Sequence, residues 1–241
     1  VSQGKAFGSK KKGKKPHNEN TATVRKGNLE PGHIEPMTDN QGAAFEAFQR
    51  GQHLVQHGYA GTGKTFIALY LALRAVHAGE FRKLVIVRSA VPTRDIGFLP
   101  GGPGEKAEIY EPVYKAACAD IYGRGDAYEV LKHQGLLEFI TTSYIRGITI
   151  DNAVVVIDEI QNLSFHELDS VITRTGEGTR LIFSGDITQS DFLKDAEKAG
   201  IHRFMKIIEQ IPNFSFIDYG ISDIVRSDLV RDYIIAREAV N

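Results

Sequence analysis

A single cysteine, Cys118, stands among 241 residues. One thiol excludes an intrachain disulfide and a cysteine-rich zinc site, and it fits a reducing compartment. No apolar run approaches the roughly 18 residues that span a bilayer, so no membrane role is expected. The N-terminus has charge but no apolar stretch behind it, which argues against a secretory signal. A cytoplasmic location is the expectation. Net charge is nearly absent too, with 29 Lys+Arg against 30 Asp+Glu. That balance hides an asymmetry: residues 1–27 carry eight basic residues and one acid, a sum of +7, which leaves −8 for the rest.

The remaining composition is ordinary for a globular protein, with 42% hydrophobic and 24% charged residues. A chain of this length buries a substantial core without disulfide or metal staples. Residues 1–28, rich in Gly, Ser, Asn and Lys, read as a disordered basic tail. Residues 29–241 read as one domain. Thr38 is placed to cap a first helix over 40–50, with Ala44, Phe45, Ala47 and Phe48 at helical spacing.

Strands and helices then alternate. Strands are expected at 53–57, 84–87, 137–142, 153–157, 181–184 and 214–217. Helices are expected at 65–77, 105–122, 165–174, 189–210 and 227–239. Continuous β-branched runs such as Leu84–Val87 and Ala153–Ile157 suit strands buried on both faces. The order implies an α/β fold with a parallel sheet flanked by helices. From Arg88 to Pro112 inclusive the chain carries four prolines and four glycines, a long irregular connection of the kind that often carries function.

Gly58-Tyr59-Ala60-Gly61-Thr62-Gly63-Lys64-Thr65 fits G-x-x-x-x-G-K-[ST] in full. Glycines at 58, 61 and 63 let the loop wrap with positive φ and aim backbone N–H groups at phosphate oxygens. The helix that follows points its positive end at the same anion. Lys64 can reach β- and γ-phosphates, and the Thr65 hydroxyl can ligate Mg²⁺. A strand candidate precedes the loop and an amphipathic helix follows, which is the context this motif requires.

Two acids, Asp158 and Glu159, end the strongest strand. Ligands of open α/β sheets bind at the carboxyl ends of strands. Asp158 is placed to hold Mg²⁺ through water, and Glu159 to polarise an attacking water. Gln161 and Asn162 follow, either as a relay or as an ordinary polar helix start. The strand at 181–184 runs into Gly185-Asp186-Ile187-Thr188-Gln189. An amide at Gln189 can donate to a γ-phosphate and accept from a water.

Taken together these residues resemble the PhoH family, and more broadly the first RecA-like domain of superfamily 1 helicases. The resemblance rests on Gly58–Thr65, on Arg88–Pro100 with Gly97-Phe98-Leu99-Pro100-Gly101, on Val156–Asn162, on Thr173-Arg174-Thr175-Gly176-Glu177-Gly178 and on Ser184–Asp191. It covers roughly residues 36–237. It implies a RecA-like P-loop NTPase that binds and hydrolyses ATP with Mg²⁺. It further implies that Gln41 reads the adenine edge, and that Arg226, or else Arg174, approaches the γ-phosphate from the same or a neighbouring subunit. Arg88-Ser89-Ala90-Val91-Pro92 departs from the expected Thr-Arg-Pro-Ala.

The short form resembles phage-type members, which extends the expected location to a host cytoplasm. The expected partner is nucleic acid, RNA before DNA, moved by a helicase or remodeller. With one lobe where a helicase has two, a homo-oligomer, most simply a hexameric ring, is expected to complete the ATP site. The alternative is an ATP-gated scaffold that unwinds nothing. A kinase is a weaker third reading, because the Asp-Glu pair favours water as acceptor.

Overall fold

The structure, a computed structural model, describes residues 29–89, 108–187 and 195–240. Helix α1 (Asp39–Gln49) begins at Thr38, whose hydroxyl accepts from the Gln41 N–H. Strand β1 (His53–Gly58) leads through the glycine loop into α2 (Lys64–Ala78), and β2 (Lys83–Arg88) follows. Next come α3 (Glu111–Tyr122), α4 (Ala127–His133), β3 (Leu137–Thr141), α5 (Thr142–Ile145), β4 (Ala153–Asp158) and α6 (Phe165–Thr173). The chain closes with β5 (Arg180–Gly185), α7 (Asp195–Ile208), β6 (Phe214–Tyr219) and α8 (Asp228–Val240).

The six strands form one parallel sheet in the order β3-β2-β4-β5-β1-β6. Successive side chains along a strand face opposite sides, and both sides here are covered. Leu84, Ile86, Val154 and Val156 pack with α1, α2, α3 and α4. Val85, Val87, Val155 and Ile157 pack with α6 and α7. All of β4 is buried, which is why its sequence is a run of β-branched residues with no alternation. This is the parallel sheet flanked by helices that the alternation of strands and helices implies.

The strand order sets the site. β5 lies between β1 and β4, so the carboxyl ends of the loop strand and the acid strand flank Ser184 and Gly185. The register pairs His57 with Gly185 and Asp158 with Ser184.

Some boundaries differ from expectation. Of the helix anticipated at 105–122, residues 105–107 lie outside the described residues; a turn at 109–110 precedes Glu111–Tyr122, which has a proline in its first turn, a position that needs no N–H. Of the helix anticipated at 189–210, Asp195–Ile208 is seen, and residues 189–194 lie outside the described residues. Helices α4 and α5, of seven and four residues, were not anticipated, because such short pieces carry too few turns for a 3.6-residue period to register. The basic tail, residues 90–107 and Gln189 lie outside the described residues. Among the described residues, no helix is long and apolar enough to cross a membrane.

Candidate nucleotide-binding site

The glycine loop is fixed by contacts that only glycine permits. Gly58 has φ 124°, and a Cβ there would stand 2.1 Å from the Tyr219 carbonyl oxygen. Gly61 and Gly63 also sit at positive φ, 83° and 84°. Gly63 offers α2 no side-chain cap, so the first-turn N–H groups are left for an anion. The turn after β6 braces the loop from below. Val225 N–H donates to the Gly61 carbonyl at 3.1 Å. Buried Asp223 accepts from Asn40 of α1 at 2.8 Å and from Gly220 N–H at 2.9 Å.

Lys64 is buried, with its ammonium donating to the Gly58 carbonyl at 2.7 Å, to the Tyr59 carbonyl and to the Thr62 hydroxyl. Burial lowers its pKa from the ordinary value, while Asp186, Glu159 and Asp158 pull it back up. The Thr65 hydroxyl donates to Asp158 Oδ1 at 2.8 Å. The other oxygen, Oδ2, accepts from the Tyr114 hydroxyl at 2.9 Å.

Glu159 lies next, at φ 55°. Burial first, and then the Asp158 charge, raise its carboxyl above the usual value. Its carboxylate accepts from the Gln161 amide, whose oxygen in turn accepts from the Asp186 N–H at 3.0 Å. That contact is possible because residue 185 is glycine. A Cβ there would meet Gln161 Oε1 at 2.3 Å and the Ile160 nitrogen at 2.8 Å.

These groups line a cavity of about 710 Å³. One wall is polar: the loop, Thr65, Asp158, Glu159, Ser184 and Asp186. The other is apolar: Ile34, Met37, Phe66, Val113 and Ala117. Phosphates fit the first wall and a base the second. Thr65 and Asp158 offer a hydroxyl and a carboxylate, an oxygen-only donor set that suits Mg²⁺. Among the described residues, no group of three or more His, Cys, Asp or Glu could hold a metal. A cation here would therefore complete its shell with phosphate oxygens and water.

Of the residues expected from sequence, Lys64, Thr65, Asp158 and Glu159 converge with the loop. Arg226 is exposed at the cavity rim, its Cγ 3.0 Å from where a Gly61 Cβ would be. Gln41 also borders the cavity, buried, but its amide is engaged within the chain. It donates to the Thr62 carbonyl at 3.0 Å and accepts from Met37 N–H at 2.8 Å. Its observed contacts therefore shape the phosphate loop.

Arg174 is not brought to the cavity. It is exposed at the C-terminus of α6, where its carbonyl accepts from Ile150 N–H at 2.9 Å. That is the amino edge of the sheet, about 20 Å from Asp158 along β4.

Sequence reasoning missed Tyr114, Asp186 as a lining acid, and the apolar wall. The position of Asp186 directly after β5 is a signal that could have found it. Nothing local marks Tyr114, because an aromatic at helical spacing reads as core.

Fold and site define a P-loop nucleotide-binding protein with a RecA-like sheet. The PhoH-like protein family matches residues 33–238, and the chain belongs to that family. The PhoH-like protein of Bacillus subtilis is 34% identical over 210 residues, covering 86% of this chain and 65% of its own. The PhoH-like protein of Synechocystis is 33% identical over 219 residues, covering 90% and 65%. Protein PhoH of Escherichia coli is 32% identical over 187 residues, covering 77% and 52%. The chain thus spans less than two-thirds of the length of these relatives. Among solved structures, the large terminase of a thermophilic bacteriophage is 12% identical, with a TM-score of 0.48, covering 83% of this chain and 50% of that one. At that level the likeness bears on neither activity nor partner.

Proposed function

We propose that the chain binds ATP with Mg²⁺, hydrolyses it, and couples turnover to nucleic acid, RNA before DNA, as a remodeller or helicase. The observation that carries this reading is the Thr65–Asp158 contact beside Lys64 and Glu159. Backbone N–H groups at the start of α2 bind phosphate, and Lys64 offsets its charge. Thr65 and Asp158 would hold Mg²⁺, which supplies charge neutralisation when bound. Glu159 takes the proton of the attacking water, and Gln161 holds that carboxylate in place. Gln189 is proposed to sense the γ-phosphate.

Arg226 at the rim favours a role within the subunit. Arg174, on the far edge, can reach a γ-phosphate only in a neighbouring subunit, which favours a ring, most simply a hexamer. The basic tail is proposed to attract phosphate backbones. The second reading is an ATP-gated scaffold that unwinds nothing.

An ATPase assay against single- and double-stranded RNA and DNA separates these readings. Stimulation by RNA supports the first, and turnover indifferent to every nucleic acid supports the second. Absence of Mg²⁺-dependent turnover with every nucleic acid overturns the proposed hydrolysis.

A further inference from the structure

Asp158 is held from two elements. Thr65, from the start of α2, donates to Oδ1 at 2.8 Å. Tyr114, from α3 and buried completely, donates to Oδ2 at 2.9 Å. Arg88, at the end of β2, puts its guanidinium near the Tyr114 hydroxyl and over the Tyr110 ring, with 4.8 Å to the centroid.

Donor bookkeeping fixes the direction of this chain. A guanidinium has donors only, and a tyrosine hydroxyl has one hydrogen. The Tyr114 hydroxyl therefore spends its single hydrogen on Asp158, facing a guanidinium that can only donate. Reversal would require Arg88 to accept, which it cannot do. The Asp158 carboxylate is consequently held at both oxygens, with its plane set by two rigid elements, and a fixed positive charge lies one residue beyond.

Packing alone does not call for this arrangement. A buried aromatic at position 114 would fill the same space as phenylalanine, and Phe139 lies against its ring with 5.5 Å between centroids. The hydroxyl is buried where it must have a partner, and that partner is the proposed metal-holding carboxylate.

We infer that Tyr114, with Arg88 beside it, is a positioning residue that presets the Asp158 carboxylate for the divalent cation of the nucleotide complex. This rests on the reading of Thr65 and Asp158 as the Mg²⁺ site. Groups that orient a ligand commonly change metal affinity by about 10–100-fold when removed.

The test compares wild type with Tyr114→Phe, which deletes only the hydroxyl. Mn²⁺ is titrated by electron paramagnetic resonance in the presence of ADP, and a fluorescent ADP analogue is titrated with excess chelator. The Mg²⁺ dependence of ATP turnover is measured alongside. Tyr114→Phe is expected to weaken Mn²⁺ binding about tenfold and raise the half-saturating Mg²⁺ similarly. Metal-free nucleotide affinity is expected to stay within about twofold of wild type, a split that general loosening would not produce.

Arg88→Gln keeps a neutral donor and is expected to shift Mn²⁺ binding in the same direction by less. It also serves if Tyr114→Phe does not fold. Superimposable Mn²⁺ titrations for wild type and a folded variant overturn the role of Tyr114. Failure of wild type itself to bind Mn²⁺ with ADP overturns instead the underlying assignment of the metal site.

Discussion

Glu159 holds a left-handed backbone conformation, φ 55°, that costs a non-glycine residue about 1–3 kcal/mol. The surroundings enforce it. Asn162 N–H donates to the Glu159 carbonyl at 2.9 Å, the Gln161 amide holds its carboxylate, and Gly185 leaves room beneath. Directly after the last residue of β4, this turn points the acid toward the loop and away from the following helix. Replacing it by glutamine removes the proton acceptor and keeps the shape. Glu159→Gln is therefore expected to bind ATP as wild type does and to lose about 10²–10⁴ in turnover, as a rapid-quench assay would show. Normal turnover would remove Glu159 from the role of base.

The pH profile follows from the same residue. As the proposed base, Glu159 would act only when deprotonated, and burial followed by the Asp158 charge raises its pKa. The acidic limb of turnover should therefore lie at higher pH than an unperturbed glutamate near about 4.3 would give.

Glu167 does at the element scale what Gln161 does locally. It completes a capping box at the start of α6, accepting from Ser164 N–H and the Ser164 hydroxyl, each at 2.8 Å. It also accepts from Thr142 after β3 and from Ser89 after β2. One carboxylate thus ties three neighbouring chain ends on the nucleotide side of the sheet. Burial alone would raise its pKa, but the hydrogen bonds from Thr142, Ser164 and Ser89 outweigh it and hold the carboxyl low.

Glu167→Ala is expected to cost about 2 kcal/mol through the lost cap and stranded donors, which lowers Tm by ~4–8 °C for a domain of this size. The sign of the pH dependence is fixed. The folded state holds the proton less readily than the unfolded chain, so this stability is complete above the ordinary glutamate pKa. It is lost as pH falls through the lowered folded value. The gap in Tm between wild type and variant should close as pH falls from about 5 to 3, which a series of thermal melts would reveal.

Elements of this kind differ in how readily sequence discloses them. The interior strands were legible because burial on both faces demands unbroken runs such as Val154–Ile157. The Ser164/Glu167 box has a local signature that went unused, while its links to Thr142 and Ser89 exist only once β2, β3 and β4 are neighbours.

Over the whole molecule, charge is divided between a +7 N-terminal segment and a −8 remainder. Each phosphate neutralised by a bound cation adds to the steepness with which affinity falls with salt. Removing residues 1–28 is therefore expected to weaken RNA binding at low salt and flatten the salt dependence in a filter-binding series. Identical curves would assign nucleic-acid contact to the body alone. Static light scattering with ATP tests the ring, since a monomer with full turnover would leave no place for Arg174 in the chemistry.

Sequence by itself determined the phosphate loop, the acid pair and the alternation of strands and helices. Each is a local pattern whose physics lies within a few residues: glycine torsions, a helix start, a buried strand end. Tertiary structure decided what those groups touch. Tyr114 meets Asp158 across 44 residues because α3 packs against the sheet face beside β4. Gln41 meets Thr62 because α1 is tied to the turn after β6. Arg226 is favoured over Arg174 on paper only by its place after the last strand, and the fold separates them: α6 carries Arg174 to the far edge while the turn after β6 brings Arg226 to the loop. Strand order makes these separations. It follows from how the sheet buries both faces at once, and no short stretch of residues encodes it.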